Sequence, residues 1–153
     1  MRKTLKILAI LFVAALIVAQ FFQPDRSNPA IVEVETLEAS TILPADVKAV
    51  LHRSCSDCHS NNTVYPWYSN ISPFSWFLAG HISDGRKEMN FSVWNTYTQK
   101  KKGKKLEEVC EKVEAKEMPL PSYLWIHRYA ALSESEIKLL CDWATQEKAK
   151  LAR

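Results

Sequence analysis

The chain has 153 residues and a formal net charge of +3, too small an excess to argue for a nucleic-acid surface. Five Trp, five Tyr and six Phe stand against only three Gly, a mixture that suits a small helical domain wrapped around something flat and apolar. No internal repeat or low-complexity tract is visible, and the length holds one ordinary domain plus an appendage, read as residues 1–23, 24–42 and 43–153.

The amino terminus has the form of an export signal. Arg2, Lys3 and Lys6 precede 13 unbroken apolar residues, Ile7 to Ala19. The exit, Ile17-Val18-Ala19-Gln20, is a poor small-x-small cleavage site because Ile17 is bulky. The reading is an N-terminal hydrophobic anchor helix that holds the protein to the inner membrane on the periplasmic side, with its basic end cytoplasmic. Cleavage, leaving a soluble periplasmic protein, is the alternative.

Gln23 to Pro29 is polar and proline-bearing and reads as a tether; Ala30 to Ser40 alternates apolar and acidic residues and reads as extended and peripheral. A first helix is expected from Leu43-Pro44, with Val47, Val50 and Leu51 on one face, running into Cys55. Ser60 to Pro73 reads as loop, Phe74 to Met89 as a second helix, and Ser92 to Tyr97 as a short capped one. A third long helix is expected over about Lys104 to Glu117, where Leu106, Val109, Cys110 and Val113 form one apolar stripe. Met118-Pro119-Leu120-Pro121 ends it. Ser133-Glu134-Ser135-Glu136 is a capping box that opens the last helix, with Ile137, Leu140, Cys141 and Ala144 as its stripe. The expected class is all-α.

Cys55-Ser56-Asp57-Cys58-His59 is the attachment signature for haem c. Two thiols three residues apart can each add to a porphyrin vinyl group, and the adjoining imidazole then turns under the iron. A redox dithiol would want a strand-then-helix setting, and a zinc site would want a second ligand pair; neither is visible. One covalent haem c with its iron is therefore the expected cofactor. On the other side of the iron, Met118 is the candidate ligand, about 60 residues on and just ahead of Pro119. His81, beside Phe77 and Leu78, is the alternative, and an open position is the third reading. His127 is a candidate hydrogen-bond partner for a haem propionate.

These residues, together with Tyr65-Pro66-Trp67-Tyr68, Asn70-Ile71-Ser72-Pro73, Gly85-Arg86, Asn90-Phe91-Ser92, Trp94, Met118-Pro119 and the capped final helix through Trp143, resemble the bacterial haem-binding-domain family of short, membrane-anchored c-type cytochromes. The Met-Pro pair before a capped helix is also similar to class I cytochromes c, although the helix preceding the haem motif lacks their aromatic or glycine mark. The resemblance spans residues 24 to 146 and implies a cytochrome c-like fold with His59 and, by analogy with class I, Met118 as axial ligands.

Cys110 and Cys141 remain, each on the buried stripe of its helix, as a disulfide or as two buried thiols. Lys100, Lys101, Lys102, Lys104 and Lys105 form the strongest charge cluster, read either as a solvated helix start or as a docking patch for an acidic redox partner. The five Trp read as core or haem-wall residues. Function is expected to be single-electron transfer in the periplasm rather than enzymatic turnover. The alternative is a haem enzyme or sensor, peroxidase-like or oxidase-associated, with an open or His-ligated sixth position.

Overall fold

The computed structural model describes residues 1–151, all of whose regular elements are helical. Eight α-helices run α1 Arg2–Ala19, α2 Leu37–Ser40, α3 Ala45–Ser54, α4 Ser56–His59, α5 Phe74–Glu88, α6 Gln99–Glu114, α7 Pro121–Leu124 and α8 Glu134–Leu151, with short 3-10 turns between them. The core lies where α3, α6 and α8 meet. Val47 and Leu140 are wholly inaccessible there, and Leu51, Leu106, Val113 and Trp143 close around them.

The N-terminal helix corrects the anchor expectation. α1 has 18 residues, about 27 Å at the α-helical rise, against a hydrocarbon layer of roughly 30 Å. Arg2, Lys3 and Lys6 fall inside it, so its apolar part is shorter still. No helix among the described residues is long and apolar enough to cross a membrane. The N-terminal anchor helix and the inner-membrane localisation built on it do not stand. The end of the helix instead meets the body: Gln20 Nε2 donates to the Ser72 carbonyl at 3.0 Å, and Ser72 N–H donates back to Gln20 Oε1 at 3.0 Å.

The segment read as extended is not. Glu33–Glu35 is a 3-10 turn and α2 follows it, capped by Thr36, whose hydroxyl accepts from Ala39 N–H at 3.2 Å. Leu37 is only 3% exposed and belongs to the core. Of the segment's alternating apolar residues Leu37 alone is buried, while Val32 and Val34 stay exposed.

α6 begins at Gln99, earlier than the stripe suggests, because the Thr98 hydroxyl accepts from Lys101 N–H at 3.2 Å and caps the basic stretch. It also ends early. Lys116 takes the left-handed conformation, φ 57°, and the N–H groups of Glu117 and Met118 return to the Lys112 carbonyl at 3.0 and 3.2 Å. That tight stop turns Met118 back toward the body.

The capping box of α8 forms: Glu136 Oε2 accepts from Ser133 N–H at 2.8 Å, and Ser133 Oγ accepts from Glu136 N–H at 3.3 Å. Arg53, at the end of α3, pairs with Glu136 Oε1 at 2.8 Å. Hydrogen bonds from Arg53 and from the Ser133 backbone pull the Glu136 carboxyl down to about 2 from the ordinary 4.5. A depressed carboxyl stabilises the fold fully above its unfolded value, and that contribution disappears as pH falls from about 4.5 toward 2. Glu136→Gln should therefore flatten the acid limb of stability in that window, measured as urea midpoints across pH. An unaltered slope would count against the pairing.

Candidate functional site

A cavity of about 700 Å³ opens between the end of α3, the end of α5, α6 and the Met118–Pro121 segment. Its volume lies within the roughly 300–1,000 Å³ of small-molecule sites. Leu51, Phe91, Val109, Val113, Leu120 and Leu140 make its walls chiefly apolar. Cys55, His59 and Met118 all line it. The structure thus brings together, in one apolar chamber, residues more than 60 positions apart in the chain.

The sequence shapes the motif turn locally. α3 ends at Ser54, Cys55 takes φ −127°, and the chain restarts as the single turn α4, with His59 N–H donating to the Cys55 carbonyl at 2.9 Å. α5 lies directly on this turn. A Cβ on Gly85 would meet the Cys58 carbonyl oxygen at 2.7 Å and Cys58 Cβ at 3.1 Å, so only glycine allows the approach. Arg86, one residue on, clamps the chain that leaves the motif: Nε donates to the Ser60 carbonyl at 2.9 Å, and Nη2 to Thr63 Oγ1 at 2.9 Å and Asn28 Oδ1 at 2.8 Å.

His59 Nδ1 lies 2.9 Å from the Met89 carbonyl, the residue that caps α5. A carbonyl can only accept, so Nδ1 carries the proton and Nε2 keeps its lone pair. Burial, the largest influence, pushes the His59 pKa down and keeps the ring neutral. This is the form in which imidazole ligates a metal. Burial likewise drives the thiols of Cys55 and Cys58 up, to about 12 and about 11, so both are held protonated. Cys58 does not line the cavity; it sits beneath Gly85 at the back of the same turn.

The remaining sequence candidates fall elsewhere. His81 is on α5 with its ring edge-on to Phe77 at 4.3 Å and does not line the cavity. His127 is also outside the wall: both ring nitrogens are taken, Nε2 by the Tyr68 hydroxyl at 2.7 Å and Nδ1 by the Tyr129 hydroxyl at 2.9 Å. No Trp lines the cavity. Trp94 and Trp143 are core, while Trp67, Trp76 and Trp125 are exposed, so the expectation of tryptophan haem walls fails. Cys110 and Cys141 are bonded to each other and join α6 to α8. Among the described residues, Cys110, Glu114 and Cys141 are the one trio converging as metal ligands would, and its sulfurs are spent in that bond; Cys55, Cys58 and His59 do not converge in this way.

Three roles at the site escaped sequence reasoning. The Met89 carbonyl orients His59 from 30 residues away, with no local signal. Lys105 turns inward, 9% exposed, to Glu108 at 2.6 Å and Glu88 at 3.0 Å, and lines the cavity rather than offering itself outside. Gly85 had a faint signal, because an interior helical glycine costs about 1 kcal/mol and implies a close contact.

A family model described as a haem-binding domain matches residues 14–146. The chain belongs to the haem-binding domain family. No curated protein and no solved structure matches it. For this family member haem, with its iron, is the implied cofactor, and the cavity fits it: an apolar chamber, with a neutral imidazole on its wall whose free nitrogen is Nε2. The likeness supports haem binding and leaves the role of the haem to the chemistry of its ligands.

Proposed function

We propose that this haem protein carries single electrons through one haem, attached covalently at Cys55 and Cys58, with His59 and Met118 as its axial ligands. The observation that carries the reading is one cavity wall shared by His59 and Met118, with His59 Nδ1 anchored to the Met89 carbonyl. Met89 also lines the cavity. Its carbonyl, however, is the group bonded to His59 Nδ1, so its backbone is committed to the imidazole side. Met118 comes from a separate segment and is the methionine suited to the other side. The bound group would supply a reversible one-electron couple, and thioether ligation raises its potential.

Cys55 and Cys58 would hold the group, each protonated thiol supplying the sulfur of one C–S bond and its own hydrogen to the neighbouring carbon, so no oxidant would be needed. The Cys110–Cys141 bond supports residence in an oxidising compartment such as the periplasm. We assign docking of an acidic partner to the head of α6, at Lys100 and at Lys104, which stays 73% exposed beside Glu108 at 3.3 Å, since Lys105 is buried, Lys102 donates to Asn95 and Lys101 lies over the Tyr97 ring.

The protein should be made in a host with haem-maturation machinery. It should then show the added haem mass, a Soret band that stays with the protein through acid acetone, and in the oxidised form the weak far-red band of Met–iron ligation. Met118→Ala should abolish that last band alone. Absence of added mass and Soret band would overturn the covalent reading; an unchanged far-red band in Met118→Ala would overturn the ligand.

A further inference from the structure

Asp57, inside the Cys55–His59 motif, is the hub of a polar cluster that the haem ligands do not use. Its Oδ1 accepts from Val64 N–H at 3.0 Å and its Oδ2 from the Tyr123 hydroxyl at 2.8 Å, while its carbonyl accepts from Thr63 Oγ1 at 2.7 Å. Tyr123 lies on α7, five residues after Met118, so this single contact bridges 66 residues between the attachment turn and the segment carrying the methionine.

The Tyr123 ring is itself held. It stacks on His127 at 4.2 Å with 9° between planes, and His127 N–H donates to the Tyr123 carbonyl at 3.0 Å. His127 is pinned in turn between the hydroxyls of Tyr68 and Tyr129. Burial and the neighbouring Asp57 carboxylate push the Tyr123 phenol well above its ordinary range, which keeps it a donor. A phenol donating to a carboxylate is a charge-assisted hydrogen bond, stronger than a neutral one.

Resting on the His59/Met118 reading, we propose that the Tyr123–Asp57 hydrogen bond, braced by the His127 stack, is a strap that holds the Met118 segment against the haem-attachment turn. Tyr123 is then a positioning residue for the sixth ligand. The physical need is plain. A thioether is a soft, weak donor for hard ferric iron, so the bond survives only where the chain bearing it is fixed. Pro119 and Pro121 stiffen that chain, but neither can donate a backbone hydrogen bond to tie it down. Met118 N–H ties the segment to α6 through the Lys112 carbonyl on one side, and the strap ties it to the attachment turn on the other, through α7.

The test uses the haem-loaded full chain. Oxidised wild type and Tyr123→Phe are titrated with urea, following the far-red Met–iron band and far-UV circular dichroism side by side, and midpoint potentials are measured. Phenylalanine keeps the stack on His127 and removes only the hydroxyl. The expected result is that the opening equilibrium of the Met–iron bond rises on the order of tenfold or more, so the band is lost well before the helices melt. The potential should fall as methionine ligation weakens. Asp57→Asn should give the same separation, and the double variant should add little to either single change.

If both single variants lose band and helix together, or lose neither earlier than wild type, Tyr123 is only a structural residue and the proposal is overturned. A wild-type protein with no far-red band overturns the Met118 assignment itself, and the strap with it. A wild-type band that Met118→Ala abolishes but Tyr123→Phe leaves intact overturns the strap alone.

Discussion

Gly85→Ala should sharply reduce haem loading and lower the melting temperature, although alanine is the better helix former. The new Cβ would sit 2.7 Å from the Cys58 carbonyl oxygen, a backbone atom with no rotamer to escape into. Helix α5 must then lift from the motif turn. Overpacking of this kind costs about 1–3 kcal/mol in itself. The functional loss should exceed that figure, because the same helix brings the Met89 carbonyl to His59 Nδ1 and Arg86 to the Ser60 carbonyl. An imidazole freed of its carbonyl can turn, and its Nε2 no longer aims at one point. Gly80 and Gly103 supply internal controls: both are helical, with nothing within 4 Å of an added Cβ. Alanine there should stabilise by about 0.5–1 kcal/mol. The measurements are thermal circular dichroism and the Soret-to-protein absorbance ratio. A Gly85→Ala protein with full haem content and an undiminished melting temperature would refute the close-approach argument.

Replacing Cys110 and Cys141 with serine should destabilise the protein by about 3–4 kcal/mol, since the bond closes a loop of 31 residues and so restricts the unfolded chain. For a chain of this size that is a fall in melting temperature of roughly 10 °C. The effect should reach the cavity as well. α6 contributes Lys105, Val109, Lys112 and Val113 to its wall, and the bond pins that helix to α8 beside Val109. Reduction of the wild type should reproduce the loss, and the serine pair should then be insensitive to reductant. A reductant-sensitive serine variant, or a double variant that melts with wild type, would show that the stability comes from elsewhere.

Much of the helical layout was legible because short-range chemistry dictates it. The Ser133–Glu136 capping box marks the start of α8 since its partners lie within one turn. The stripes of α6 and α8 announce their inward faces for the same reason, through a period of 3.6 residues. The errors have a common cause too. Lys105 read as one more member of the exposed lysine run because charge is read without direction, whereas the turn of α6 carries it inward to Glu88 and Glu108. Trp67, Trp76 and Trp125 looked like core because hydrophobicity was counted without knowing which face of the body they would occupy. The apolar run at residues 7–19, slightly short by itself, reads as a span only with Leu5 and the Phe21–Phe22 pair added, whereas the helix that holds it ends at Ala19 and spends three of its 18 residues on basic side chains.

What the sequence determined by itself is the chemistry at one place: two thiols and an imidazole within the five residues Cys55–His59. The tertiary structure alone decided how that place is completed. The Met89 carbonyl beside His59, Gly85 against Cys58, the Tyr123 hydroxyl on Asp57 and Met118 on the shared wall lie 27 to 66 residues along the chain from the motif residues they meet. Spacing along a chain encodes contacts only within a turn or two. Beyond that, partners are chosen by which helices bury their apolar faces together, and that choice is a property of the whole packed core.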